Sequence, residues 1–297
     1  HIYHYVQSLS GNALVMTRNF YGTLRVRDVG AGDEAVRRLM HGVIMHGEQY
    51  LAPGKRDEPT TYYGRTSGVG LAILDLPPAS RRVAVIGLGT GTLATYGRPG
   101  DVYRFYEINP DVIDVARSHF TFLSDSRAKV ETVLGDARLT MEREPAQNYD
   151  LIAVDAFSSD SIPVHLVTRE AMAVYLKHLK PDGVLAFHVT NRFLRLAPVV
   201  KAIADEYRLH TALVVDEAEL ADRLHDVRVP RIPQGLVFHG RDASLVALRH
   251  RAEAARRVER LQRADRLRKL DRLDLRQRRD RHRPAVTHHP RVRRVVV

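Results

Sequence analysis

Cysteine is absent from the 297-residue chain, which excludes a disulfide, a thiolate nucleophile and any Cys-ligated metal site. That absence fits a reducing compartment. Long apolar runs are missing too: segments such as VAVIGLG fall far short of the roughly 20 apolar residues that a bilayer-spanning helix needs. No charged-then-apolar signal segment opens the chain, and it begins at His1 instead of Met, so a fragment of a longer protein is expected. The body is expected in the cytoplasm, on the cytoplasmic side of the membrane if a parent protein is membrane-attached. Aromatic residues are lacking beyond Phe238.

Acidic residues are also scarce at the end of the chain. The formal charge of +11 invites a nucleic-acid function, but residues 249–297 hold 18 Lys or Arg against 6 Asp or Glu, while the first 248 residues hold 28 against 29. The body is neutral, and a basic-groove function for it loses its support. In the tail Val258, Leu261, Ala264, Leu267, Leu270 and Leu273 recur every third residue. Such a row winds around a helix instead of forming one face, so residues 227–297 read as a solvated basic tail. A nucleic-acid or membrane arm and a partner helix are the alternatives.

What is present is a chain with 44% apolar residues, enough for a substantial core. Residues 1–65 read as short strands and turns, a small β-rich region on the substrate side. From 66 to 226 strands alternate with helices: SGVGLAILDL as a helix, RRVAVIGLG as a strand, PDVIDVARSHF as a helix opened by Pro110. KVETVLGDAR and YDLIAVDAF follow as strands, TREAMAVYLKHLK as an amphipathic helix, GVLAFHVTN as a strand, APVVKAIADEY as a helix and HTALVVD as a strand. That alternation predicts an α/β fold, a doubly wound parallel sheet with helices on both faces.

The stretch VAVIGLGTGTLATY places Gly87, Gly89 and Gly91 directly after a strand and before a predicted helix, where backbone can approach a ligand and N–H groups are available. The spacing is GxGxG and not the GxGxxG that suits a dinucleotide pyrophosphate, which favours S-adenosylmethionine or a relative. Glu107, twenty residues after Gly87, ends the next strand, where an acid can accept both ribose hydroxyls. Asp136 ends the following one, placed to accept from an adenine amino group with Ala137 at the ring. Asp155 emerges at the same edge from the fourth strand, where a carboxylate can orient and deprotonate an attacking amine. Thr90 and Ile108 complete the expected nucleotide-binding set. His41 and His46, five apart, do not share a helix face as a metal pair would at four, so a strand-and-turn role or a substrate lining is expected and no metal. His165 is expected to shape its loop. Tyr62 and Tyr63 are either core or a substrate wall whose aromatic faces attract ammonium groups.

Together the phrases RNFYGTLRV, HGVIMHGEQY, PTTYYGRTSGVGLAI, GLGTGTLA, FYEINP, GDARL, DAFSSDSIPVHLVTREA and LKPDGVLAFHVTNR give the chain, from Asn19 to about Asp216, a resemblance to the spermidine synthase (polyamine aminopropyltransferase) family. It most resembles the spermidine-synthase-like domain found fused behind a membrane-transporter-like region. The resemblance implies a class I methyltransferase-like sheet, an N-terminal β-domain, and transfer from decarboxylated S-adenosylmethionine or a relative to an amine such as putrescine. By family position Glu107 holds the ribose, Asp136 the adenine and Asp155 the amine, with Tyr62 or Tyr63 near a substrate-lining tyrosine. Two departures stand out. Where the family reads GGGDG this chain has Thr90 in place of the acid, which weakens a charge filter against ordinary S-adenosylmethionine. Where the family reads DSSDP, Asp160 lies five residues after Asp155 instead of three.

The expected activity is therefore aminopropyl transfer. A methyltransferase using ordinary S-adenosylmethionine and a non-catalytic ligand-sensing domain of a membrane protein are the alternatives. The expected partners are a polyamine-class amine, a second copy of the chain, and a membrane-embedded region outside this sequence. No nucleic acid is expected at the body.

Overall fold

The computed structural model describes residues 13–156, 163–189 and 194–214, and the backbone of residues 236–239. The first four strands, β1 (Ala13–Asn19), β2 (Gly22–Val29), β3 (Val36–His41) and β4 (Ile44–Tyr50), form an antiparallel meander. Alternation of buried and exposed side chains along β2 sends Leu24 and Val26 inward, where they meet Leu39 of β3. Tight turns keep this sheet narrow, and Gly22 at φ +125° sits where a Cβ would lie 2.5 Å from the His41 ring.

The second sheet has the order β10-β11-β9-β8-β5-β6-β7. Five of its strands are parallel: β5 (Arg82–Ile86), β6 (Val102–Glu107), β7 (Lys129–Leu134), β8 (Tyr149–Val154) and β9 (Leu179–Phe187). Alternate residues feed two cores. Val83, Val85, Tyr103, Phe105, Leu151 and Ala153 face one side. Ala84, Ile86, Ile152, Val154, Leu185 and Phe187 face the other. The first core is covered by α1 (Gly68–Asp75), α2 (Pro110–His119) and the inner face of the meander. The second is covered by α4 (Ala137–Arg143), α5 (Arg169–His178) and α6 (Leu196–Glu206), while the single-turn α3 (Phe122–Asp125) follows α2. This is the doubly wound α/β sheet with an N-terminal β-region that the alternation predicts. No helix among the described residues is long and apolar enough to cross a membrane.

Helix starts are written locally. Ser67, Asn109, Asp136 and Thr168 each accept a backbone N–H in the first turn of α1, α2, α4 and α5, and Pro110 opens α2 with φ already suited to a helix. At the edge opposite the expected site, Arg81 and Asp101 form a buried ion pair, each 2% exposed. Arg81 also donates to the carbonyls of Ile73 and Tyr96, tying α1 and the glycine-rich segment to the start of the sheet.

Two expectations are corrected. TLATY forms one short 3-10 helix, Thr92–Tyr96, and not an α-helix: left-handed Gly91 supplies no side-chain cap, and extended Gly97 followed by Pro99 ends the turn. The stretch 227–297, read as tail, contributes β11 (Leu236–His239), which lies antiparallel between β9 and β10 (His210–Leu213). Its four residues, LVFH, are too short a run for periodicity to single out. The rest of that stretch, and Asp160, lie outside the described residues.

Candidate active site

The carboxyl ends of β5 to β9 share one edge of the sheet, the edge at which open α/β sheets bind ligands. Gly87, Gly89 and Gly91 all take positive φ there, at +97°, +55° and +85°. The protein's own packing requires them. A Cβ on Gly87 would lie 2.3 Å from the Asp155 carbonyl oxygen, one on Gly89 2.7 Å from the His46 carbonyl oxygen, and one on Gly91 2.6 Å from the Leu123 side chain. Gly87→Ala is accordingly expected to lower the denaturant midpoint by the equivalent of about 1–3 kcal/mol from backbone strain, with an unchanged m-value.

Gly87, Leu88 and Gly89 line a cleft closed on one side by Tyr21, His41 and His46 of the meander and on the other by Gly135, Asp136 and Ala137 after β7. Glu107 and Ile108 lie in its floor. The Glu107 carboxylate accepts from the backbone N–H of Leu88 (3.0 Å) and of Asn109 (2.9 Å), which fixes its direction and leaves further lone pairs for a ligand. Burial raises its pKa, and the N–H groups of Asn109, Leu88 and Ile108 oppose that rise.

Asp136 is the N-cap of α4, accepting from Leu139 N–H at 2.9 Å, and its second oxygen accepts from His165 Nε2 at 2.7 Å. His165 thus belongs to the cleft wall through Asp136, beyond shaping its loop. His41 and His46 stand with ring centroids 5.1 Å apart. His41 donates to the Tyr21 carbonyl at 2.7 Å, whereas His46 Nε2 is buried without a hydrogen-bond partner. Burial, with the neighbouring His41, lowers the His46 pKa to about 4, so its ring is neutral at pH 7.

Other expected residues lie off the cleft lining. Thr90 is 1% exposed, bonded through its hydroxyl to Thr92 and packed against Gly47 of β4, where a Cβ would lie 2.5 Å from Thr90 Oγ1. Its side chain is turned into the meander contact and away from the cleft. Gly91 is occupied with Leu123. Asp155, Tyr62 and Tyr63 form a second cluster outside the cleft lining, next in the chain to lining residue Ala156. Tyr63 donates its hydroxyl to Asp155 Oδ2, and the burial of that phenol, with the Asp155 charge, holds its pKa well above the usual tyrosine range. His188, at the end of β9, donates from Nδ1 to Asp155 Oδ1 at 2.6 Å, and the Tyr62 ring lies 4.5 Å from the His188 ring. Sequence reasoning missed His188. The signal was its position at the carboxyl end of the fifth parallel strand, the same rule that selected Glu107, Asp136 and Asp155.

The wall of the cleft therefore carries two carboxylates and, among the described residues, no Lys or Arg. It suits a cationic ligand.

No family model matches the chain. Over 128 residues it is 36% identical to the polyamine aminopropyltransferase of Vibrio vulnificus, a match covering 41% of this chain and 41% of that protein. Over those 128 residues the chain shares homology with a polyamine aminopropyltransferase. It spans about two fifths of the length of that relative. Over 99 residues it is also 36% identical to the eEF1A lysine and N-terminal methyltransferase of Xenopus laevis, covering 31% of this chain and 14% of that one. The fold is shared with the probable spermidine synthase of Corynebacterium glutamicum, with a TM-score of 0.59 and 18% identity over 77% of this chain and 80% of that structure.

Proposed function

We propose that this chain transfers an aminopropyl group from decarboxylated S-adenosylmethionine to a primary amine such as putrescine. The observation that carries this reading is the cleft wall: Glu107 and Asp136 without a facing Lys or Arg, bounded by a glycine turn. Such a wall attracts the cationic adenosine sulfonium that the decarboxylated and the ordinary form share. Homology to the aminopropyltransferases supports the same chemistry.

In this reading Glu107 accepts the ribose hydroxyls, Gly87 and Gly89 bring backbone to the nucleoside, and Asp136 and Ala137 meet the adenine. The amine nitrogen attacks the carbon next to the sulfonium; the C–S bond breaks with its electron pair on sulfur, releasing methylthioadenosine. The sulfonium is already a good leaving group, so most of the acceleration comes from aligning the two reactants. In this reading Asp155 orients the amine and receives its proton.

Glu107→Gln is expected to weaken nucleoside binding by about 10–100-fold, the loss of a charged hydrogen-bond acceptor. Calorimetry with decarboxylated S-adenosylmethionine measures it. In the unmutated chain affinity is expected to fall on acidification at a pH above the ordinary glutamate range, because protonation of Glu107 removes both the charge and one acceptor site.

A second reading, methyl transfer from ordinary S-adenosylmethionine, draws on one observation: Thr90, uncharged and buried, stands where the family carries an acid. The thioether separates the two. Methylthioadenosine marks aminopropyl transfer and S-adenosylhomocysteine marks methyl transfer, while binding with neither product marks a sensor.

A further inference from the structure

On its Asp136 side the cleft is built from two segments, the turn after β7 and the loop that follows β8. The His165 side chain joins them. Its residue lines the cleft, the ring is 46% exposed, and Nε2 lies 2.7 Å from Asp136 Oδ2, while Oδ1 of the same carboxylate accepts from the Leu139 N–H at 2.9 Å. A carboxylate only accepts, so the ring donates in this bond. The backbone of the loop is held separately: the His165 carbonyl accepts from Arg138 at 3.1 Å and the Leu166 carbonyl accepts from the Tyr175 hydroxyl at 3.0 Å. Neither of those bonds passes through the imidazole. What the ring adds is a hold on Oδ2, without which the bond from Leu139 fixes one Asp136 oxygen and leaves the other to swing about it.

We infer that His165 is a positioning residue that sets base specificity: by fixing the plane of the Asp136 carboxylate it makes the site take a purine bearing an amino group there and reject one bearing a carbonyl. This deepens the proposed function and rests on its placement of the base at Asp136; it holds for either sulfonium. Each Asp136 oxygen keeps a lone pair beyond the bond it already makes, so an exocyclic amino group can donate to it. A carbonyl in the same place sets acceptor against acceptor with no proton between them, which is how a site built for one hydrogen-bonding pattern rejects the other. The Asp136 side chain is only 17% exposed, so little water is at hand to relieve that clash. Arg138 does not relieve it either. Its guanidinium is turned to Glu142, at 2.9 Å, and to the His165 carbonyl, and the residue is not part of the cleft lining.

Calorimetry on the full chain with two thioether nucleosides tests this: methylthioadenosine, whose base carries the amino group, and methylthioinosine, whose base carries a carbonyl in its place. Dissociation constants are measured for the unmutated chain, for His165→Ala, and for His165→Gln, whose amide can still donate to Asp136. The unmutated chain is expected to bind methylthioadenosine at least about 10-fold more tightly than methylthioinosine. In His165→Ala that preference is expected to shrink to within about threefold through weaker methylthioadenosine binding, and in His165→Gln most of it is expected to return. Equal weakening of both nucleosides in His165→Ala marks a merely structural ring and overturns the inference. So does a His165→Gln variant that behaves like His165→Ala. In both cases methylthioadenosine binding by the unmutated chain leaves the transfer reading standing. Absence of any preference in the unmutated chain removes the base from Asp136 and overturns the inference with it, whereas binding of neither nucleoside overturns the nucleoside site and the transfer reading together.

Discussion

Asp155→Asn is expected to reduce methylthioadenosine formation by about 10²–10⁴-fold while the protein stays folded, the range spanned by loss of a positioned acid–base group. Both carboxylate oxygens accept in the unmutated protein, whereas the amide replaces one of them with an NH₂ that faces a donor. A neutral amide cannot receive the amine's proton, and it disturbs the hydrogen bonds that Tyr63 and His188 make to the carboxylate. Binding of the nucleoside, which involves Glu107 and the glycine turn, should be nearly unchanged. Single-turnover kinetics beside calorimetry measures both, and a loss confined to affinity contradicts the assignment.

Asp101→Ala is expected to destabilise the fold by about 3–5 kcal/mol, the cost of leaving one partner of a buried ion pair uncompensated. Burial alone would raise the Asp101 pKa, but hydrogen bonds from the Arg81 side chain and from the backbone N–H of Arg81 and Arg98 hold it below the usual range. Arg81, 2% exposed, would keep its carbonyl contacts to Ile73 and Tyr96 and lose the carboxylate that balances its charge. The sign of the pH dependence follows. Since the folded pKa is depressed, the pair's contribution is present above the ordinary aspartate range and disappears as pH falls through the lowered value. Denaturant titrations at two pH values should show the Asp101→Ala deficit shrinking in acid.

Much of the site was legible because one rule, acids and glycines at the carboxyl ends of parallel strands, needs only strand boundaries. Those boundaries are strongly written here: β5 and β8 end in the apolar runs VAVI and LIAV, and Asn109, Asp136 and Thr168 announce the helices that follow. Glu107 and Asp136 therefore fall on the cleft wall as expected from their positions alone. What sequence could not convey was the partner of each side chain. Thr90 looks equivalent to its glycine neighbours in the string, yet the bare backbone of Gly47 in a different sheet draws it out of the cleft. The glycines themselves were assigned to ligand approach, whereas contacts with Asp155, His46 and Leu123 already demand them. Asp155 gains Tyr63 from 92 residues away and His188 from 33, and no local pattern encodes such distances. The β11 strand escaped for a different reason, since four residues carry too little periodicity and are followed by a basic run.

The most direct test of aminopropyl transfer is the identity of the thioether released when the full chain is incubated with putrescine and either sulfonium, read by mass spectrometry. Methylthioadenosine from the decarboxylated form, in equal amount with aminopropylated amine, is the predicted result. S-adenosylhomocysteine from ordinary S-adenosylmethionine, or no thioether from either, would contradict it.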